Sequence, residues 1–212
     1  MKQGREPRPS LCLYHLLKWS VVSPLLHTYF CGHIYGAEHV PQKGPLLVVS
    51  NHASNFDPPL LSNCVRRPVA YMAKEELFRV PIFRQAIQLY GAYPVKRGGG
   101  DRSAIKAALA RLEQGWAVGI FLQGTRTRDA RISSPKLGAA LIAAKSQAPL
   151  LPVSLWGTQD ILVKGSPLPH SVPITIRIGK PIAPPTSSDR AELLAATQAC
   201  TDAIHALHDQ GR

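Results

Sequence analysis

Three short apolar runs limit what this chain can fold into. Pro45 to Val49, Trp116 to Leu122 and Leu150 to Trp156 are bounded by turn and helix signals and lack the polar alternation of a strand with one wet face. Runs of this kind read as strands covered on both sides. The segments between them carry helical punctuation. Asp57, Pro58 and Pro59 read as a helix start, with Asp57 as N-cap and Pro58 at the first helical position. Asp101 caps a helix through Gln114 that Gly115 ends. Ser134 and Pro135 open another helix, to about Gln147. Asp189 with Glu192 forms a capping box for a C-terminal helix whose inward face carries Leu193, Thr197, Cys200, Ile204 and Leu207. Ile174 to Ile178 alternates apolar with polar residues and supplies a last strand. The pattern predicts an α/β domain, a mixed sheet flanked by helices.

A chain of 212 residues, 45% of them hydrophobic, can bury one sizeable core. Its 19 prolines and 16 glycines are spread out as turn formers, so no low-complexity linker divides it. Cys12, Cys31, Cys64 and Cys200 share no disulfide or metal spacing, which favours reduced thiols and a cytosolic setting. None of the eight histidines forms a ligand pair with a nearby Cys or carboxylate except His52 with Asp57, and His205 and His208, three apart near the C-terminus, read as a solvated helix end with weak metal binding as the alternative. No metal site and no cofactor is expected. The formal charge of +12 draws the chain to something acidic. The basic residues form no nucleic-acid module and have no stacking aromatics among them, which excludes nucleic acid and leaves anionic lipid and phosphorylated or acidic substrates.

After a basic start, Met1 to Arg8, the stretch Leu11 to Phe30 is largely apolar but is interrupted by His15, Lys18 and Pro24. Those interruptions disfavour a membrane span, and Lys18 disfavours a secretory leader. An interfacial helix or kinked helical pair in the headgroup region fits, with Trp19 and Tyr29 suited to that depth; a helix packed on the domain is the alternative.

Residues 51 to 58, Asn-His-Ala-Ser-Asn-Phe-Asp-Pro, carry the chemistry. His52 and Asp57 would diverge by about 140° on one helix at about 100° per residue, so they are read instead as part of a strand-to-helix loop. Such loops lie at the C-terminal edge of an open α/β sheet, where ligands usually bind. A histidine beside a carboxylate is a general base with its orienter, able to take a proton from an alcohol near neutral pH. Ser54 has no Gly-x-Ser-x-Gly elbow and is read as a loop hydrogen-bonder, not a nucleophile.

Three further blocks follow in order: Tyr-Gly-Ala-Tyr-Pro-Val-Lys-Arg at 90–97, Phe-Leu-Gln-Gly-Thr-Arg-Thr at 121–127, and Leu-Leu-Pro-Val-Ser-Leu-Trp-Gly-Thr at 150–158. With Asn-His-x4-Asp, this ordered set resembles the glycerolipid acyltransferases, in particular the 1-acyl-glycerol-3-phosphate acyltransferases, over roughly residues 35 to 180. The segment Met72 to Phe83 resembles that family's Lys-containing stretch. Taken with the reading of the N-terminal stretch, this resemblance divides the chain into residues 1–32, a basic, membrane-interfacial helical segment, and 33–212, an acyltransferase domain. It implies His52 as base and Asp57 as its partner in moving an acyl group from an acyl thioester, on coenzyme A or on acyl carrier protein, to the free hydroxyl of a lysophospholipid. Gly124, Thr125 and Arg126 suit phosphate oxygens, and Arg97 and Lys74 join them by resemblance. Gln123, counted with the substrate-binding residues, stands where the family usually has Glu; it keeps the hydrogen-bonding shape without the charge that binding substrate or anchoring Arg126 would use. Lys96, Arg128 and Arg131 read as solvated charges. Val153 and Gly157 shape either one end of the cleft or merely a buried strand and its turn. The expected setting is the cytoplasmic face of a membrane, peripheral or monotopic. Acylation of another lyso-acceptor, or membrane binding without catalysis, are the alternatives.

Overall fold

The computed structural model describes residues 8–79, 84–85, 87–88, 91–95, 101–162 and 168–212. Among these residues the apolar runs are inner strands of a seven-stranded sheet. Its strands are β1 (His33–Tyr35), β2 (Leu46–Ser50), β3 (Val69–Lys74), β4 (Tyr93–Val95), β5 (Ala117–Phe121), β6 (Leu150–Trp156) and β7 (Thr175–Ile178), in the order β1-β7-β6-β2-β5-β3-β4. β6 and β7 are antiparallel and every other pair is parallel, which makes the sheet mixed. Helices α1 (Arg8–Leu17), α2 (Asp57–Val65), α3 (Asp101–Glu113), α4 (Gly138–Ser146) and α5 (Arg190–His208) cover it.

The burial of β2 explains its composition. Successive side chains point to opposite faces. Leu46 and Val48 enter one core with Leu60, Leu61, Cys64 and Val65 of α2, while Leu47 and Val49 enter another with Ala108 and Leu112 of α3, Ile142 and Ala143 of α4, and Cys200 and Ile204 of α5. Two covered faces leave no position for a polar side chain until Ser50, where the strand ends.

Helix ends depart from the sequence reading in three places. Phe56 occupies the N-cap of α2 and Asp57 lies in its first turn, with its carboxylate turned back to the preceding loop instead of capping the helix. The α4 helix starts at Gly138, three residues after Pro135, and just before it Lys136 N–H donates to the Leu122 carbonyl instead of opening a helical turn. Asp189 is the N-cap of α5, but no capping box forms. The Glu192 carboxylate instead accepts from Ser187 N–H and the Thr186 hydroxyl, which holds it below the usual carboxylate range. The inward face of α5 ends on His208, buried, with Leu207 only half-buried.

The N-terminal segment is a rod of α1 followed by two π-helical turns, Lys18–Val22 and Leu25–Tyr29. Ser10, Tyr14, Lys18, Val22, Leu26 and Phe30 are buried, a strict period of four. An α-helix turns faster than that, and the wider i→i+5 turns bring the stripe back onto one face. Tyr14 donates to the Ser62 carbonyl and Lys18 Nζ to that of Asn63, so the rod is docked on α2. Burial lowers the Lys18 ammonium from its ordinary range. The opposite side exposes Leu16, Trp19 and Val21 at 64, 67 and 52%. The rod thus packs on the domain and keeps an apolar outer face. Among the described residues no helix is long and apolar enough to cross a membrane.

Candidate active site

Parallel register creates the site. Ser50 pairs with Phe121 on one side and Val153 on the other, so β2 and β5 end together beside β6, which runs on to Trp156, and the loops that follow β2 and β5 meet there. Asn51, immediately after β2, is 1% exposed and ties these ends to one another. Its Nδ2 donates to the carbonyls of Ala130 and Leu155, both at 2.8 Å, and its Oδ1 accepts from Leu155 N–H at 2.9 Å.

His52 follows. Its Nδ1 lies 2.7 Å from Asp57 Oδ2, and the Asp57 side chain is fully buried. The same oxygen accepts from Ala53 N–H at 2.7 Å and Ser54 N–H at 2.8 Å. A convergence of three N–H donors on one oxygen is an arrangement a carboxylate takes. The imidazole lies flat against Phe121, with ring centroids 3.8 Å apart and planes 13° apart, and Phe121 stacks in turn toward Tyr71 at 6.0 Å. Gly119 makes room for that stack, because a Cβ there would stand 2.0 Å from the Tyr71 ring. Asp57 thus holds Nδ1 and Phe121 covers one ring face, and neither contact engages Nε2.

The block after β5 is stitched to this loop. Arg126 Nη1 donates to Asn55 Oδ1 at 3.0 Å, and Thr127 N–H donates to the His52 carbonyl at 2.9 Å. Gly124 takes a left-handed φ of 75°, and a Cβ there would lie 3.4 Å from Lys136 Nζ. Arg126, Thr125 and Lys136 are exposed or half-exposed, so two cations flank an open backbone turn. Gln123, read as one of the substrate-binding residues, is engaged within the loop. Its Oε1 accepts from Ser133 N–H at 2.8 Å, which makes it a brace between two stretches of one loop.

The structure therefore brings together His52, Asp57, Gly124, Thr125 and Arg126. Lys74 closes β3 beside Val95 of β4, and Lys96 and Arg97 lie outside the described residues, as does the basic start before Arg8. Val153 is fully buried in a strand, and Gly157 is the turn after it, where a Cβ would strike the Pro173 carbonyl at 2.3 Å. Both have the surroundings of a buried strand and its turn. Ser54 accepts from Phe56 N–H within the loop, as expected of a hydrogen-bonder.

Arg131 is a partly exposed charge, as read, and pairs at the surface with Asp209 at 2.5 Å. One further reading is corrected: at the His205/His208 end His208 is buried and His205 half-buried, so that end is not simply solvated. His208 sits 3.2 Å from the buried Ser154 hydroxyl, and burial pushes it below its ordinary range. Phe121, Lys136 and Asn51 were missed as site residues. Phe121 and Asn51 each open one of the blocks already singled out, whereas Lys136 carries no sequence signal. Among the described residues no group of His, Cys, Asp or Glu is placed to hold a metal ion.

Comparison with known proteins gives the class to which this mixed sheet and its histidine–carboxylate pair belong. The acyltransferase family model matches residues 32–156, more than half of the chain, and the chain belongs to that family. Among its relatives, a chloroplastic 1-acyl-sn-glycerol-3-phosphate acyltransferase of Brassica napus is 31% identical over 151 residues, 70% of this chain and 43% of that protein. The 1-acyl-sn-glycerol-3-phosphate acyltransferase of Bacillus subtilis is 30% identical over 151 residues, 70% of this chain and 72% of that one. The match thus spans less than half of the plant relative's length. The crystal structure of the 1-acyl-sn-glycerophosphate acyltransferase PlsC from Thermotoga maritima shares the fold, with a TM-score of 0.70 over 93% of this chain and 94% of that one, at 23% identity.

Proposed function

We propose that the protein transfers a fatty acyl group from an acyl thioester to the free hydroxyl of 1-acyl-glycerol-3-phosphate, giving phosphatidic acid. The observation that carries this reading is the 2.7 Å contact between His52 and the buried Asp57 at the strand ends. It is joined by the activity for which the relatives are named. Nε2 of His52 takes the hydroxyl proton as that oxygen attacks the thioester carbonyl carbon. The tetrahedral oxyanion collapses, the C–S bond breaks, and the leaving thiolate takes the proton back from the imidazolium. Asp57 holds the tautomer and balances the transient charge, as the acid of a hydrolase triad does, without a serine. No acyl-enzyme is required. The acceptor's phosphate fits the turn at Gly124 between Arg126 and Lys136, with Thr125 as a hydroxyl donor. The donor is an acyl thioester of coenzyme A or of acyl carrier protein.

Both substrates carry hydrocarbon, so the site must work beside lipid. The outer face of the N-terminal rod, Leu16, Trp19 and Val21, supports docking on an anionic membrane surface, with the basic excess adding about 1 kcal/mol per well-placed cation. Gln123 bears on the second reading, acylation of a different lyso-acceptor. Its bond to Ser133 supports a bracing role that Glu would fill equally well, and so favours the same acceptor as the relatives.

The test is acyl transfer by lipid-reconstituted protein, offering lysophosphatidic acid and other lyso-acceptors with each donor. Wild type should form phosphatidic acid, and His52→Ala should lower turnover about a hundredfold or more. Failure to acylate any acceptor, with vesicle binding intact, would leave a membrane-binding protein without catalysis.

A further inference from the structure

The loop between the phosphate-facing block and α4 is tied down residue by residue, and part of its anchorage comes from the C-terminal helix. Ala130 gives its carbonyl to Asn51, Arg131 its carbonyl to the Thr127 hydroxyl at 3.1 Å, and Ser133 its N–H to Gln123. Ile132 N–H donates to His205 Nε2 at 3.2 Å, one turn before the end of α5, and the Arg131 guanidinium pairs with Asp209 just beyond it. Ala130, 1% exposed, sits at a φ of 55°, a left-handed conformation that a non-glycine residue holds only when its surroundings over-determine it. Thr127, at the other end of this short loop, donates its N–H to the His52 carbonyl. A chain of bonded neighbours therefore runs unbroken from His205 through Ile132, Arg131 and Thr127 to His52. α5 lies wholly beyond residues 32–156, the stretch the family model matches.

The geometry points to His205 as a positioning residue for the acyl-transfer site: by accepting the Ile132 N–H it holds the 127–132 loop in the one register that seats the His52 backbone and places Arg126 beside Asn55. This rests on the reading of His52 as the base. Nε2 must be unprotonated to accept that bond, so His205 serves as the neutral Nδ1–H tautomer. The loop has a strained residue at Ala130 and would relax if released, because the left-handed backbone is held there by its neighbours.

The test compares His205→Phe, which keeps the ring and removes the acceptor, with His205→Gln, whose amide oxygen can accept the same bond. It is run in the full-length, lipid-reconstituted protein well below the melting temperature of each. His205→Phe should lower kcat ten- to about a hundredfold through misplacement of the base. It should also raise the KM for the lyso-acceptor, since Arg126 moves with the loop, while the KM for the thioester donor changes less. His205→Gln should recover most of both. A purely structural role for His205 would lower the melting temperature and leave kcat of the folded enzyme, and its rescue by Gln, unmoved.

Amide exchange supplies a second readout that needs no turnover. In His205→Phe the Thr127 N–H, on the far side of the loop, should exchange about tenfold faster or more, because the ease of local opening depends on the bonds that hold a segment closed, and Gln should restore its protection. Equal kcat in His205→Phe and wild type, or unchanged protection at Thr127, would overturn the inference while leaving the acyl-transfer reading intact. If wild type acylates no lyso-acceptor, that reading fails, and exchange at Thr127 still decides whether His205 governs the loop.

Discussion

Asp57→Asn isolates the charge of the buried carboxylate from its geometry. In a Ser-His-Asp triad the corresponding change lowers kcat about 10⁴-fold because the amide traps the wrong histidine tautomer. Here the amide is not free to choose. Ala53 N–H and Ser54 N–H both point at the position of Oδ2, so they select the oxygen of an asparagine for that place, and His52 keeps its Nδ1–H. What is lost is the negative charge beside the transient imidazolium. For unit charges about 4 Å apart at an effective dielectric of about 20, that interaction is at most about 4 kcal/mol. A barrier raised by that amount slows the reaction up to about 10³-fold. The expected kcat is therefore about 10² to 10³ below wild type, a clearly smaller loss than the triad's. Stability falls as well, because three charge-assisted bonds become neutral and the amide NH₂ takes the place of Oδ1, a buried atom without a partner. Together these amount to roughly 2 to 4 kcal/mol, or about 5 to 15 °C in Tm for a chain of this size. Steady-state release of thiol from the acyl donor, alongside a thermal melt, measures both. Turnover within tenfold of wild type would show that the Asp57 charge is not used, and a loss of 10⁴ or more would show that the backbone donors do not hold the amide.

Other substitutions probe other parts of the site. Gln123→Glu keeps the acceptor for Ser133 N–H and should leave kcat and the acceptor KM within about threefold of wild type, whereas Gln123→Leu leaves that bond unmade at about 1 to 3 kcal/mol if the N–H becomes buried; parallel melts and acceptor titrations separate the two. Gly119→Ala places a methyl group in the Tyr71 ring, and should destabilise by about 1 to 3 kcal/mol while disturbing the ring stack that ends on His52; a variant as stable and active as wild type would show that the stack yields without consequence. His208 is held below its ordinary range by burial first and by Arg131 second. The folded state then resists a proton that the unfolded chain accepts, so the contribution of His208 to stability is constant above about pH 6.5 and falls as pH drops below it, by up to about 1.4 kcal/mol per unit until the folded group also titrates. His208→Asn should flatten that slope in melts taken between about pH 7 and 5.5.

Much of this architecture was legible as local chemistry. β6 begins and ends where its apolar run does, and α3 stops at Gly115 because a left-handed residue is needed there and glycine supplies it. The three helix ends read differently, at Asp57, Pro135 and Glu192, share one cause: a side chain or N–H that would have served the helix has a better partner elsewhere in the chain. The Asp57 carboxylate serves His52 and its loop, Lys136 N–H serves the Leu122 carbonyl, and Glu192 serves Ser187. Residue type and spacing identify a capable cap without revealing a competing acceptor.

The sequence by itself determined the class of sheet, because strands without polar residues must be covered on both faces, and it determined the chemistry, because a histidine and a carboxylate in one short loop cannot separate by more than the loop allows. It also marked Gly124, Thr125 and Arg126 as a unit. What only the tertiary structure decided is which partners the site recruits from far along the chain. Parallel register brings Phe121 against the His52 ring, the rod's period of four becomes a docked stripe only when α2 is there to receive it, and the turn at Ile132 meets His205 because α5 crosses the same face of the sheet. These contacts join residues tens of positions apart, and no local propensity encodes the distance that folding removes between them.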